Sequence, residues 1–195
     1  YDFIKNEMYE ISALLPSIPE ADGRITKWTA LALKSRAMLY AASVANFGSQ
    51  QLNGLLGFPI SEASSYYQAS LDASNQIIQS GAFSLYKKSD DPVKNFGDLF
   101  IDENNNSEVI FVEKYDYDAG KSHQWDALAQ PSGFGFNWSS NYTVYLETLE
   151  QFDFTDGATG KIDRSLYDDA TPIDPNRFFE QRDPRMRASI FYPGA

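Results

Sequence analysis

The chain has 195 residues, a length that suits one domain or a little more, and 43% of them are hydrophobic, which excludes wholesale disorder. Its net charge of −11 argues against a nucleic-acid or anionic-membrane surface, because phosphates need a positive field nearby. Zero cysteines exclude disulfides, thiolate nucleophiles and Cys-ligated metals, and a single histidine, His123, excludes a multi-His metal site.

No signal-peptide pattern opens the sequence, and Tyr1 in place of Met leads us to expect a chain processed or cut from something longer. Residues 2–15 carry Phe3, Ile4, Met8, Ile11, Leu14 and Leu15 near the 3.6 period, and Pro16 stops the helix they predict. Residues 27–47 predict the strongest helix, with Thr26 as N-cap and Gly48 as its C-terminal stop. Six alanines and a nearly uncharged surface say that it packs closely on more than one side. Residues 62–80 predict a third helix, with Ser61 as N-cap, Gly81 after its end, and a wide face of Tyr66, Tyr67, Leu71, Ala73, Ser74, Ile77 and Ile78. A small-residue helix followed by an amphipathic, Tyr-led one is the logic of a TPR-like helical hairpin, with 2–15 as the second helix of the preceding hairpin.

After residue 87, Gly, Asn, Asp, Ser and Pro rise and long helical periods vanish. Val109–Val112 reads as a short strand, and residues 144–152 as a short helix. The expected architecture is therefore mainly α, with a TPR-like helical portion over 1–87 and a loop-rich portion with one or two short strands over 88–195, packed on it within one larger domain.

Twelve Tyr, fourteen Phe and three Trp exceed what a core of this size needs, so some rings are expected at the surface. Residues 116–143 concentrate them among planar amides and carboxylates. A pyranose lays its apolar C–H face on such rings while its hydroxyls bond to such polar groups. The candidate glycan-binding residues are therefore Tyr117, His123, Gln124, Trp125, Asp126, Asn137, Trp138 and Tyr142. Phe134 and Phe136, with no polar handle, are assigned to plugging the loop onto the helices.

Other patterns have plainer readings. Asp102, Asn104, Asn106 and Glu113 have EF-hand spacing, but Ser107 stands where the turn needs Gly, so an Asn-rich turn explains the same letters. The acid pairs Asp116/Asp118, Glu147/Glu150 and Asp168/Asp169 leave a glycoside hydrolase open, since such an enzyme needs two facing carboxylates. Asn137-Trp138-Ser139 and Asn141-Tyr142-Thr143 match the N-glycosylation triplet. In Arg182-Asp183-Pro184-Arg185, Asp183 is expected to cap a turn while the arginines pair with acids.

Several of these pieces, in this order, resemble the SusD/RagB family of outer-membrane glycan-binding lipoproteins. They are Gly23-Arg24-Ile25-Thr26-Lys27 with Ala30–Arg36 and Leu39-Tyr40-Ala41-Ala42, then Tyr66-Tyr67-Gln68-Ala69 through Gly81–Leu85. Asn95–Phe100, Ser107–Phe111, Phe152 through Asp156-Gly157, and Arg182-Asp183-Pro184-Arg185 follow. The resemblance implies a TPR-like scaffold from the central part of a longer protein, lipid-anchored and outward-facing on the outer membrane. It implies non-catalytic capture of an oligosaccharide or polysaccharide, with no cofactor, and delivery to a SusC-like TonB-dependent outer-membrane transporter. Individual ligand residues do not carry over, because they vary with the glycan. Two other classes remain open at this point: the glycoside hydrolase, and a TPR-type protein–protein adaptor.

Overall fold

Helices dominate the computed structural model of the chain, and among the described residues no strand forms. Among the described residues extended backbone pairs at three isolated bridges, Gln51 with Leu56, Asp116 with Lys121 and Phe154 with Arg182. The structure describes all residues except 22, 104, 105, 117, 132, 134–141, 167–175 and 193–195. They fall into two units, Tyr1–Leu85 with Ser107–Lys114, and Tyr86–Asn106 with Tyr115–Ala195.

The first unit is built around α2 (Lys27–Phe47). Thr26 starts it with a reciprocal cap: its hydroxyl accepts from the Thr29 amide at 3.4 Å, and its own amide donates to the Thr29 hydroxyl at 3.2 Å. Ala41 and Ala42 are fully buried and Ala45 nearly so, which lets α1 (Asp2–Leu14) and α3 (Ala63–Gln79) both pack along this helix. The early part of α2 meets the late part of α3, so the two run antiparallel: Trp28 and Leu31 cluster with Ala73 and Ile77, and Met38, Ala41 and Ala42 with Tyr66. Between the clusters the Ser35 hydroxyl bonds those of Ser70 (3.2 Å) and Ser74 (2.7 Å), and the Ser70 hydroxyl donates to the Ser35 carbonyl (2.9 Å). Small hydroxyl residues thus satisfy one another where a larger side chain would hold the helices apart.

Details of the sequence reading shift. In α1 the half-buried stripe is Ile4, Met8, Ile11 and, just past the end, Leu15; Phe3 and Leu14 point outward. Ser61 does not cap α3, because a 3₁₀ turn over Ile60–Glu62 runs straight into the helix. On α3 the buried positions are Ala63, Tyr66, Ser70, Ala73 and Ile77, whereas Leu71 and Ile78 are exposed. Gly81 follows the helix at φ +65°, the left-handed conformation that glycine adopts without strain. Val109–Val112 is not a strand, since no neighbouring segment offers it a ladder. Its Ile110 packs instead on the Trp28 cluster beside Phe83, and the Ser84 amide donates to the Ser107 carbonyl at 3.1 Å.

The second unit holds a helix that the sequence reading missed, α4 (Pro92–Ile101). Asp91 caps it, accepting from the Val93 (2.9 Å) and Lys94 (3.2 Å) amides, and Pro92 occupies the first turn, where its missing N–H costs nothing. Asn95 ties the preceding segment down: it donates to the Tyr86 carbonyl and accepts from the Lys88 and Ser89 amides. Asp102 accepts from the Tyr86 hydroxyl at 2.7 Å and from Lys88 Nζ at 2.6 Å, while Asn106 donates to the Leu99 carbonyl at 2.7 Å. Of the EF-hand spacing, the Asp102 carboxylate is thus spent inside the chain, and Asn106 is tied by its amide nitrogen to the end of α4.

Burial and then the Asp102 carboxylate push the Tyr86 phenol up to about 12. The neutral phenol is the form that fits the fold. Its contribution to stability is therefore complete below pH 10, the usual tyrosine value, and is lost as the pH rises toward 12. A tyrosinate absorbance titration of the wild type minus that of Tyr86→Phe is expected to show one late-titrating ring near pH 12; a difference curve centred at pH 10 contradicts this.

Short helices complete the unit: α5 (Trp125–Ala129), α6 (Leu146–Leu149), α7 (Asn176–Phe179) and α8 (Pro184–Ser189), the last packed against α4. A 3₁₀ turn spans Arg164–Leu166. Asp183 caps α8, accepting from the Arg185 amide at 2.9 Å and from the Arg185 guanidinium at 2.9 and 2.6 Å. Arg182 departs from expectation. Among the described residues it pairs with no carboxylate; its buried guanidinium donates to backbone carbonyls of Leu149, Phe152, Gly160 and Phe178 and lies over the Phe154 ring.

Candidate functional site

Within the second unit an open groove of about 800 Å³ gathers residues from four stretches: α5 with the two residues after it, residues 142–149 through α6, Phe179 of α7, and residues 189–192 from the end of α8. Leu128 of α5 accepts from the Tyr142 amide at 3.3 Å, which brings the two ends of the aromatic loop together. That closure stacks Trp125 on Tyr142, with centroids 5.0 Å apart and planes 20° from parallel. Each ring spends one face on the other and stays largely open, Trp125 61% and Tyr142 50% exposed. A second stacked pair, Phe179 with Tyr192, lines the same groove at 4.6 Å and 18°. Tyr145 and Phe191 add two more exposed rings.

His123 prepares the start of α5. Its Nδ1 accepts from the Trp125 amide at 3.2 Å, which fixes the tautomer with the proton on Nε2, and its ring stands edge-on to Tyr115 at 4.7 Å. The imidazole thus positions Trp125 through the backbone. Gln124 is exposed and lends its carbonyl to the Leu128 amide at 3.1 Å. Asp126 lies on α5. Tyr117, Asn137 and Trp138 lie outside the described residues, as do Phe134, Phe136, Asn141 and the acid pair Asp168/Asp169.

The groove residues that sequence reasoning missed include Tyr145, Leu146, Phe179, Ile190, Phe191 and Tyr192. Residues 144–146 extend the aromatic loop and could have been read with it. Nothing in the sequence joins positions 179 and 189–192 to a loop more than thirty residues away. A smaller depression in the first unit, about 440 Å³, offers one ring, Tyr67, beside Asn46 and Gln68, and Gln68 is already bonded to Asp72 at 2.8 Å.

Three of the acids near these elements, Glu147, Glu150 and Asp116, already have partners. Glu150 is buried and accepts from the Ile162 amide (3.2 Å), Arg164 (2.7 Å) and Lys161 (3.4 Å); Glu147 shares Arg164 at 3.2 Å. Desolvation opposes the charge on Glu150, but these donors outweigh it and hold the carboxyl below its ordinary value. A general acid needs the opposite shift. Asp116 accepts from the Asp118 and Ala119 amides within its own turn. Among the described residues no group of three or more acid or histidine side chains is placed to hold a metal ion, and no helix is long and apolar enough to cross a membrane. Comparison with protein-family models, with curated proteins and with solved structures finds no match for this chain.

Proposed function

We propose that the chain is a SusD/RagB-like, non-catalytic glycan-capture module that works at a bacterial outer membrane and passes its cargo to a TonB-dependent transporter. The observation that carries the reading is the exposed Trp125–Tyr142 stack at the groove. Two rings held face to face, each at least half exposed, form a platform for the apolar side of a pyranose. Antiparallel α2 and α3, with α1 alongside, support the reading of this part as a TPR-like hairpin. Those motifs run collinearly through most of the chain.

A stacked ring contributes about 1 kcal/mol beyond area, so capture by a few rings is worth roughly micromolar to millimolar affinity. Weak binding suits a module that must let its cargo go. In a calorimetric and glycan-array screen of the intact protein, at least one oligosaccharide is expected to bind. Trp125→Ala is expected to weaken that binding about five- to tenfold with an unchanged circular dichroism spectrum. Equal binding by wild type and variant removes the groove from the mechanism; no binding to any glycan removes the function. Co-isolation of the intact protein with an outer-membrane channel tests the delivery step.

A further inference from the structure

We propose that the groove selects uncharged oligosaccharides and rejects those bearing carboxylate or sulfate groups. This rests on the glycan-capture reading and names the ligand class within it. Fifteen of the described residues line the groove and none of them is Asp, Glu, Lys, Arg or His, in a chain where 22% of residues are charged. The hydroxyls there, from Thr143, Ser189 and three tyrosines, can exchange hydrogen bonds with sugar hydroxyls without any counter-charge.

An anionic sugar meets the reverse situation. A uronate or sulfate laid against Trp125 or Phe191 leaves water and finds no cation among the described lining residues. An unpaired anion moved out of water is opposed by more than a stacked ring returns. Several cations elsewhere in this unit already have acidic partners: Arg164 holds Glu147 and Glu150, Lys161 also reaches Glu150, Arg185 holds Asp183, Lys94 holds Asp98 and Lys88 holds Asp102, while Lys87, Lys121 and Arg187 are not among the residues that line the groove. Arg182 is buried among carbonyls. The net charge of −11 adds a long-range repulsion of polyanions that fades as salt rises.

The test is calorimetry on the intact protein with length-matched neutral oligosaccharides (malto-, cello- and xylo-series) and anionic ones (oligogalacturonate, sulfated galactan), at low and physiological salt. At least one neutral series is expected to bind with an affinity that changes by less than about twofold with salt. The anionic series are expected to bind about a hundredfold more weakly or not at all. Trp125→Ala and Phe191→Ala, both folded by circular dichroism, are each expected to weaken the neutral ligand about five- to tenfold. An anionic series that binds as tightly as the neutral ones overturns the selectivity and leaves glycan capture standing. Neutral binding that neither variant disturbs overturns the assignment of selectivity to this groove. A protein that binds neither class overturns the capture reading itself, and the inference with it.

Discussion

Arg182→Met is expected to destabilise the second unit by about 3–5 kcal/mol. Arg182 is 3% exposed, and burial lowers its pKa against the opposing pull of Glu150 and Asp153. Its Nη1 reaches three carbonyl oxygens, those of Phe152 (2.7 Å), Gly160 (3.0 Å) and Leu149 (3.3 Å), and its Nε reaches that of Phe178. The planar group also covers the Phe154 ring, with Cζ 4.4 Å from the centroid. One side chain thereby satisfies backbone from residues 149–160 and from α7. Methionine fills much of the volume but leaves those acceptors in the interior without a donor. Lysine restores the charge as a single point and cannot serve the same spread of acceptors, so Arg182→Lys is expected to recover less than half the loss. Urea denaturation followed by circular dichroism measures both; a loss below about 1 kcal/mol for Met would mean that water reaches the carbonyls.

The second large effect lies across the same junction. Gly160 has no room for a methyl group: a Cβ there would sit 2.4 Å from the Phe152 carbonyl oxygen, 2.7 Å from that of Glu150 and 2.8 Å from Arg182 Nη1. Two of these neighbours are backbone, fixed by the turn that follows α6, so they cannot swing aside. Gly160→Ala is expected to cost about 3 kcal/mol or more and to disturb the hydrogen bonds that Arg182 makes. Because both substitutions break one junction, the double variant is expected to lose clearly less than the sum of the single losses. Additive losses would separate the two residues.

The first unit was legible because its signals are local. Thr26 before an alanine-rich stretch, Gly48 at its end and Pro16 after the preceding stripe set the helices in place with little ambiguity. Register on the faces was less legible, since Leu71 and Ile78 look as buried as Ile77 until the direction of approach of α2 is known. Missing α4 was avoidable: an Asp-Pro pair opening an amphipathic decamer is a helix start, here hidden by the polar residues around it. Val109–Val112 looked like a strand because an apolar run satisfies either a ladder or a core, and only tertiary contact decides between them.

The site divides the same way. Trp125 and Tyr142 bracket one loop, so an aromatic cluster there could be anticipated, and His123 two residues before Trp125 sits where its ring can reach that amide. The Phe179–Tyr192 stack and the exposed Phe191 come from the far end of the chain, joined by packing that no spacing announces. The arginine of the Arg182-Asp183 pair misled because acids are its commonest partners in sequence terms, whereas buried carbonyls left by short, irregular helices needed a multi-pronged donor more.

The route of the chain has a consequence for how the protein is made. The first unit is interrupted: the chain departs after Leu85 and returns only for Ser107–Lys114, whose Ile110 seals the Trp28 cluster. A ribosome that has released three helices has therefore not yet released the plug for their core. Folding of that unit during synthesis must wait for α4 to emerge in between, and a gene cut after residue 85 would yield helices with an unroofed tryptophan.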